Sequence, residues 1–477
     1  MKLLLALWFA AAAALTGCSL APDHVRPALP VAGDWVPADR TTAAAGRPAQ
    51  WRQFFVAPEL TGLIEAALSN SRDLRIAIWR VEAARGQYRI RRADGVPQIS
   101  ANAAGFRSQI PASLSPTANR VTENLFAGYV SASWDIDLWG RIGNLDAAAM
   151  QRFIASDEAR QTIALSLIAN VANAWLSGRE LDERIALADV TVESRRDSAR
   201  IARRRYEVGA APRIDQAQAD ALFGDAESSL IILEQQREQN RSALTLLVGA
   251  PVPVAASLLS EVEDSVVHDL PPGLPSILLT QRPDIRGAEN RLRAAEQNIG
   301  AARAAFFPRI SLIGDGGVAS SALNTLFTGN GTLWSFGASL AMPIFDGGRL
   351  SGALDEARAQ RQIAIAEYER TVQAAFRDVS DALAARRRLT AQILTERRSL
   401  DALRDRARLA DVRYRAGAST YLEVLEAQRD LFGLEQALVQ TRRARLSSEV
   451  NLFAALGGGE DDASRATAAT TAEGAKP

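Results

Sequence analysis

The chain contains an internal duplication, because residues 73–249 and residues 284–457 repeat one pattern. The sequence Arg205-Tyr206-Glu207-Val208-Gly209-Ala210 returns as Arg413-Tyr414-Arg415-Ala416-Gly417-Ala418, about 208 positions later. The same offset pairs Gly249 with Gly457. Two copies of this length do not make a short-period solenoid, so each copy must be a substantial supersecondary unit.

The N-terminus has the features of a bacterial lipoprotein signal. Lys2 supplies a positive charge, and residues 3–15 form an apolar run that is shorter than the ~20 residues of a transmembrane helix. The run ends in Leu15-Thr16-Gly17-Cys18, which resembles the lipobox. That resemblance implies covalent diacylglycerol and palmitate at Cys18, and it implies that Ser19 directs sorting to the outer membrane. The alternative is a plain secretory signal with an incidental cysteine.

Composition excludes several classes of protein. A formal net charge of zero and a charged fraction of 23% argue against a nucleic-acid binder and against a polybasic membrane adsorber. The single cysteine rules out an intrachain disulfide framework. The two histidines, His24 and His268, lie in proline-rich connecting segments. The sequence therefore predicts no catalytic residues, no metal site and no enzyme activity.

Two segments in each copy alternate in polarity as strands do. In the first copy they cover residues 97–106 and 126–138, with a polar loop over residues 107–124. In the second copy they cover residues 308–315 and 334–344. Alternation over about 10 residues, with aromatic side chains near one end, is typical of a tilted transmembrane strand. A soluble hairpin with one face on a core gives the same pattern.

The predicted strands are the segments of the chain that could span a membrane. No apolar segment after the signal reaches the length of a transmembrane helix, so a membrane-spanning region would consist of strands. Four strands are too few to close a barrel, and free strand edges are not tolerated in lipid. The pattern therefore predicts that several copies of the chain share one barrel.

A long helix follows each pair of strands. Residues 141–206 contain no proline, and their apolar positions recur in alternating steps of three and four. In the first copy these positions are Leu181, Ile185, Ala188, Val192, Ala199, Ala202 and Tyr206, with Arg195 in one slot. In the second copy they are Leu389, Ile393, Leu400, Leu403, Ala407, Ala410 and Tyr414, with Glu396 in one slot. This period of about 3.5 residues predicts a coiled coil. The alternative is a core helix of a globular domain, which does not explain the length.

Each long helix should end in a tight turn, at residues 207–212 and 415–420. Gly209 and Gly417 allow the left-handed residue that closes a helix, and Pro212 suits the first turn of the next helix. The predicted helices that flank the two long ones cover residues 59–92, 213–247, 284–306 and 421–456.

Several motifs together resemble one known family. They are the lipobox, Trp134-Asp135-Ile136-Asp137-Leu138-Trp139-Gly140-Arg141, the paired Arg-Tyr-x-x-Gly-Ala turns, Arg282-Pro283-Asp284, Phe307-Pro308-Arg309-Ile310 and Pro343-Ile344-Phe345-Asp346-Gly347-Gly348-Arg349. The chain resembles the TolC-like outer-membrane factors over residues 18–457, and the NodT-type efflux lipoproteins among them fit best.

The resemblance implies an α+β membrane protein. Its expected form is a homotrimer with a 12-stranded transmembrane β-barrel that is continuous with a long 12-helix periplasmic α-barrel. The expected domains are a signal peptide (1–17), a lipid-anchored extended segment (18–56), repeat 1 (57–249), an equatorial linker (250–281), repeat 2 (282–457) and a disordered tail (458–477).

The resemblance also implies a role and partners. It identifies the chain as the channel of a tripartite efflux system that passes drugs or other small molecules to the outside. The channel is expected to be lipid-anchored in the outer membrane and to extend into the periplasm. The implied partners are outer-membrane lipid, a periplasmic adaptor protein and an inner-membrane pump of the RND type; no cofactor besides the covalent lipid is implied. Two alternatives are a type I secretion exit channel for polypeptides and a lipid-anchored coiled-coil scaffold.

The helix turns are the candidate site. By resemblance, the adaptor docks at Gly209, Ala210, Ala211, Gly417, Ala418 and Ser419. The candidate gate residues are Tyr206, Tyr414, Arg213, Asp215, Arg415 and Glu423. Members of the family often carry a ring of aspartates beside the second turn, where this chain has Ser419. We therefore expect packing, tyrosine hydrogen bonds and ion pairs of Arg213 or Arg415 to close the tip. The alternative is that these residues only cap the helix ends.

Overall fold

The structure is a computed structural model that describes residues 19–28, 30–31, 50–116, 119–252, 257–263, 282–328 and 331–458. Cys18, His268, the greater part of the expected linker and the tail from residue 459 lie outside the described residues. The described chain is mostly helical and contains one four-stranded sheet.

The element order is the same in both repeats: an incoming helical segment, two strands, a long helix and a return helix. The helices are α1 (Trp51–Phe54), α2 (Pro58–Asn70), α3 (Arg72–Ala93), α4 (Arg141–Glu207), α5 (Arg213–Val248), α6 (Leu259–Val262), α7 (Pro283–Ala304), α8 (Arg349–Arg415) and α9 (Tyr421–Ala455). The strands are β1 (Gln98–Ile110), β2 (Val121–Ile136), β3 (Arg309–Ser320) and β4 (Thr332–Ala341). The two long helices, α4 and α8, each contain 67 residues. Among the described helices, none combines the length and the apolar character needed to cross a bilayer.

The chain divides into two compact units that do not follow the repeats. The first unit comprises the described parts of residues 1–28, 79–157 and 287–369, and it holds the sheet. The second unit comprises the described parts of residues 29–78, 158–286 and 370–477, and it holds both helix turns. Each compact unit combines residues of both repeats. The repeats are therefore visible in the sequence but do not correspond to separate compact units of the structure. The expected domain limits stay a prediction.

The four strands form an antiparallel meander in the order β1-β2-β3-β4. The strands occur where the alternation predicts them, but the predicted loop over residues 107–124 is too long. Arg107 pairs with Asn124 and Ile110 with Val121, because backbone pairing continues where the side chains are polar. In the second copy, β3 continues to Ser320, whereas β4 ends at Ala341, short of residue 344.

The second half of β3 contains glycines that are typical of a loop, and this is why the predicted strand stops at residue 315. A Cβ atom at Gly317 would lie 2.2 Å from the carbonyl oxygen of Gly128 and 2.5 Å from the Cα of Tyr129. The backbones of β2 and β3 therefore approach more closely here than any side chain permits. Gly317 is therefore part of the strand, although glycine is a residue type that is typical of turns.

An aspartate stands at the start of each long helix. The amide of Gly143 in the first turn of α4 donates to Asp137 Oδ2 at 2.7 Å. The amide of Leu350 in α8 donates to Asp346 Oδ2 at 2.9 Å. Amides in the first turn of a helix have no partner within the helix, and a carboxylate satisfies them and favours the helix dipole. Each motif thus supplies an aspartate that accepts from the first turn of its long helix, although Asp137 and Asp346 are one position apart in the alignment of the two repeats.

The predicted seams pack the long helices against the return helices. Leu181 and Ala188 of α4 form a buried cluster with Leu233 of α5. Ile393 and Leu400 of α8 form the corresponding cluster with Leu438 of α9. The coiled-coil interpretation of the 3.5-residue period is therefore confirmed for these positions.

The incoming helix of the first repeat is interrupted. The sequence predicts one helix over residues 59–92, whereas α2 ends at Asn70 and α3 begins at Arg72. Ser71 between them has φ −56° and ψ 130°, outside the helical region. Its hydroxyl oxygen accepts a bond from the amide of Leu74 at 3.5 Å. A serine that accepts from the amide three residues later starts a new helix, which the periodicity of the apolar residues does not show.

Candidate functional site

The two turns that follow the long helices have the same backbone geometry. Gly209 and Gly417 have φ values of +73° and +71°. The amide of Ala210 donates to the carbonyl oxygen of Arg205 at 2.7 Å, and the amide of Ala418 donates to that of Arg413 at 2.8 Å. These bonds are those of a Schellman motif, in which a left-handed glycine ends the helix. The prediction that glycine closes both long helices is confirmed.

The tip surface, which we define as residues 208–214 and 416–420, is largely exposed. Val208 is 75% exposed and Ile214 is 63% exposed. Four of the predicted docking residues, Gly209, Ala210, Gly417 and Ala418, are also exposed, whereas Ala211 and Ser419 are half-buried. Exposed aliphatic side chains beside small residues give a surface that suits contact with another protein.

Tyr414 links the helices of the two repeats. Its hydroxyl oxygen accepts a hydrogen bond from the guanidinium of Arg205, which belongs to α4. The ring of Tyr414 also lies 4.9 Å from the ring of Tyr421 in α9, with 45° between the ring planes. A predicted gate residue therefore contacts both the other repeat and its own return helix.

Tyr421 is central to this contact and was not predicted. It packs against Ala199, Ala202 and Ala219 of the first repeat. It also packs against the buried cluster of Ala410, Val424 and Ala427 in the second repeat. Burial raises the pKa of its phenol, and a hydrogen bond with the Ser198 side chain opposes the rise. One feature of the sequence could have indicated Tyr421. The two repeats differ at this position, where the first repeat has Arg213.

Arg195 occupies a slot of the α4 seam and is buried. Only 4% of it is exposed, and burial lowers the pKa of its guanidinium. Its Nη1 has no hydrogen-bond partner within the described part of the chain. The position that matches Arg195 in the second repeat is Leu403, as expected for a seam. The sequence places Arg195 in the seam, but the depth of its burial is seen only in the structure.

Two of the four charged gate candidates, Arg415 and Glu423, make ion pairs within their own repeat. Arg415 pairs with Asp411 at 2.8 Å, one turn back along α8. Glu423 pairs with Arg413 at 3.5 Å. Arg213 and Asp215 make no ion pair with any described residue. The pairs that form are exposed, so each stabilises the tip by about 0–1 kcal/mol. The gate assignment stays a prediction.

Comparisons with known proteins give the class. A family model described as "Outer membrane efflux protein" matches residues 63–250 and 274–458. The chain is 40% identical over 451 residues to the probable efflux pump outer membrane protein TtgC of Pseudomonas putida, covering 93% of each chain. It is also 40% identical over 451 residues to the outer membrane protein OprJ of Pseudomonas aeruginosa, covering 94% of each. The open-state structure of the MtrE outer membrane channel of Neisseria gonorrhoeae superposes with a TM-score of 0.82, at 33% identity over 93% of this chain and 98% of that one.

Twin repeats of strands and long helices, with this match over nearly the whole chain, define an outer-membrane transport protein. The chain belongs to the outer membrane efflux protein family. Its location is the outer membrane, and its role is efflux.

Proposed function

We propose that three copies of this chain form the outer-membrane channel of a tripartite efflux system. The observation that carries the proposal is the open sheet: within the described residues, β1 and β4 each pair on one side only. Unpaired backbone groups in lipid are unfavourable by several kcal/mol each, so both edges need partner strands. Sheets of four strands from three copies make a closed 12-stranded barrel.

The polarity of β4 supports a position in lipid. Trp334, Phe336 and Leu340 are 80%, 73% and 68% exposed in one chain. They alternate with Ser335, Gly337 and Ser339 along the strand. From residue 334 to residue 340, one face of β4 is thus apolar and the other carries small or polar residues, as expected when one face meets lipid and the other lines water.

The long and return helices would form the second part of the channel. Four helices from each of three copies, α4, α5, α8 and α9, make a 12-helix barrel in the periplasm. The tip surface then docks on a periplasmic adaptor, which joins the channel to an inner-membrane pump of the RND type. The protein passes substrate without chemistry. The efflux-pump names of TtgC and its relatives favour this role over polypeptide secretion.

We further propose that lipid on Cys18 anchors the chain, because the lipobox resemblance ends at this residue. The intact mature protein should lose the mass of its acyl chains in the Cys18→Ser variant, as measured by mass spectrometry. Ser19→Ala is the matched control, since it leaves the cysteine in place. If the masses of the wild type and Cys18→Ser differ only by the exchange of cysteine for serine, the lipidation is refuted.

Planar-bilayer recording of the purified protein tests the channel. A water-filled tube should give discrete current steps that scale with voltage and with salt concentration. A lipid-anchored coiled-coil scaffold gives no steps, and that outcome would reject the proposed function.

A further inference from the structure

Helix α3 has one face that its own chain covers and one that it leaves open. Tyr88 stacks on Phe153 of α4, with 6.4 Å between the ring centroids. On the opposite side of the helix, residues recur in steps of four, three and four. We define these residues as the α3 stripe: Trp79, Ala83, Gly86 and Ile90. A period of about 3.5 residues on the open side is the pattern of a second coiled-coil seam.

The α3 stripe is exposed within one chain. Trp79 is 67% exposed and Ile90 is 57% exposed. Ala83 is exposed as well, and a Cβ atom at Gly86 would lie more than 4 Å from the described atoms of every other element. An exposed tryptophan and an exposed isoleucine on one helix face mark a surface that another molecule covers.

Helix α8 has the same two sides next to the sheet. Leu350, Ala364 and Tyr368 are buried, and Ala364 packs in a cluster with two residues of α7. The other side of α8 carries residues in steps of four, three and four, all of them exposed. We define these residues as the α8 stripe: Gly352, Glu356, Ala359 and Ile363.

The strand order brings the two stripes together in the proposed trimer. The edge strands of the sheet are β1, which follows α3, and β4, which precedes α8. In a shared barrel, β4 of one copy pairs with β1 of the next. The helices joined to these strands then run side by side in opposite directions. Both stripes belong to the first compact unit, which also holds the sheet.

The helix ends set the register between the stripes. Ile90 lies three residues before the end of α3 at Ala93, and Gly352 lies three residues after the start of α8 at Arg349. Both ends lie next to the sheet, so Ile90 of one copy faces Gly352 of the other. Since the steps in the two stripes are equal, the rest follow without a shift. The remaining pairs are Gly86 with Glu356, Ala83 with Ala359, and Trp79 with Ile363.

The residues in this register are complementary in size. Ile90 meets a glycine, and Ala83 meets an alanine, so the two helices can approach closely along the seam. Trp79 meets Ile363, which is 50% exposed in one chain. The pairing therefore covers the exposed large side chains of both stripes at once.

Charged residues along one edge of the seam are complementary too. Arg89 makes no ion pair with any described residue, and it lies within two positions of the level of Asp355. Glu82 lies within two positions of the level of Arg358. Asp355 and Arg358 pair with each other in one chain, at 3.3 Å, and both are more than half exposed. A neighbouring copy thus offers each of them a second partner of opposite charge.

We infer that the α3 stripe of one copy packs against the α8 stripe of the next copy. This seam joins the copies in the helical wall beside the sheet. The inference rests on the proposed function, and it names the surface that holds the copies together outside the barrel. Lipid or an adaptor protein on either stripe would leave the two stripes apart.

Cysteine cross-linking of the full-length protein in membranes tests the register. Ala83→Cys combined with Ala359→Cys should form disulfides between copies on oxidation, because these positions face each other and a disulfide needs Cα atoms about 4.4–6.8 Å apart. The products are dimers and trimers on a heated, non-reducing denaturing gel. Ala83→Cys combined with Ala366→Cys is the matched control. Ala366 is exposed on the same side of α8 but lies about 10 Å further along it, so about tenfold less product is expected.

Native mass spectrometry of the same samples reports the assembly separately. A trimer that cross-links through residues 83 and 359, and far less through 83 and 366, supports the seam. A trimer in which the two variants cross-link equally, or in which residues 83 and 359 do not cross-link, would overturn the seam and leave the proposed function standing. A monomer would reject the proposed trimer and the seam together.

Discussion

Alanine at both Tyr206 and Tyr414 should raise the single-channel conductance well above that of the wild type. Within one chain, Tyr414 accepts a hydrogen bond from Arg205 and packs on Tyr421. These contacts tie the second-repeat helices to α4 beside the tip surface. Their removal from every copy should free the helices to part, because the exposed ion pairs that remain are weak.

The size of the effect follows from the number of copies. Arg205 is exposed, so its hydrogen bond to the Tyr414 hydroxyl contributes about 1 kcal/mol in each copy. In the proposed trimer, loss of three such bonds would shift the ratio of closed to open tips by about two orders of magnitude. The wild-type tip, which opens briefly, would then stay open for a much larger part of each recording, and the time-averaged conductance of each channel would rise.

Single substitutions separate the contributions. Tyr414→Phe keeps the ring beside Tyr421 and removes the hydroxyl that Arg205 contacts, so an intermediate conductance is expected. Tyr206→Ala is the matched control at the equivalent repeat position, where the side chain is 42% exposed. Tyr414→Ala should therefore account for most of the change. An unchanged conductance in the double variant, with the assembly intact, would remove both tyrosines from the gate.

The long elements are predictable because their signals are local. Apolar steps of three and four residues, without proline, suffice to indicate α4, and a glycine in a repeated turn suffices to end it. The duplication adds a second, independent instance of each pattern. A residue that departs from its repeat partner, such as Tyr421 opposite Arg213, then stands out.

The strand limits were harder to predict because sheet pairing is not local. Arg107 and Gly317 lie in strands, although the composition of the segments around them is typical of loops. Both residues are in strand conformation because each pairs with a residue of the neighbouring strand β2. The sequence of one strand does not contain that information.

Side chains that act across the fold could not be found from the sequence. His24 is one of two histidines, and its position in the sequence indicated only that a metal site and a histidine-based catalytic triad are not expected. Its partner Glu296 lies 272 positions away in the chain. The burial of Arg195 likewise depends on helices that pack against its seam. Such sites follow from tertiary packing, and local patterns do not indicate them.

The trimer is the prediction on which the channel depends. One chain supplies a sheet of four strands with two open edges, and a single copy does not close. In the proposed trimer, three copies would close the barrel and bury both edges, so the assembly should resist mild detergent. Its dissociation would expose the backbone groups of β1 and β4 in an apolar environment.

Native mass spectrometry in mild detergent measures the assembly most directly. We expect one dominant species of about three times the mass of the mature chain, which is slightly below the 51.3 kDa of the full sequence before lipid is added. The species should persist at nanomolar concentrations. A stable monomer with the same β-sheet content would contradict the shared barrel, and with it the proposed channel.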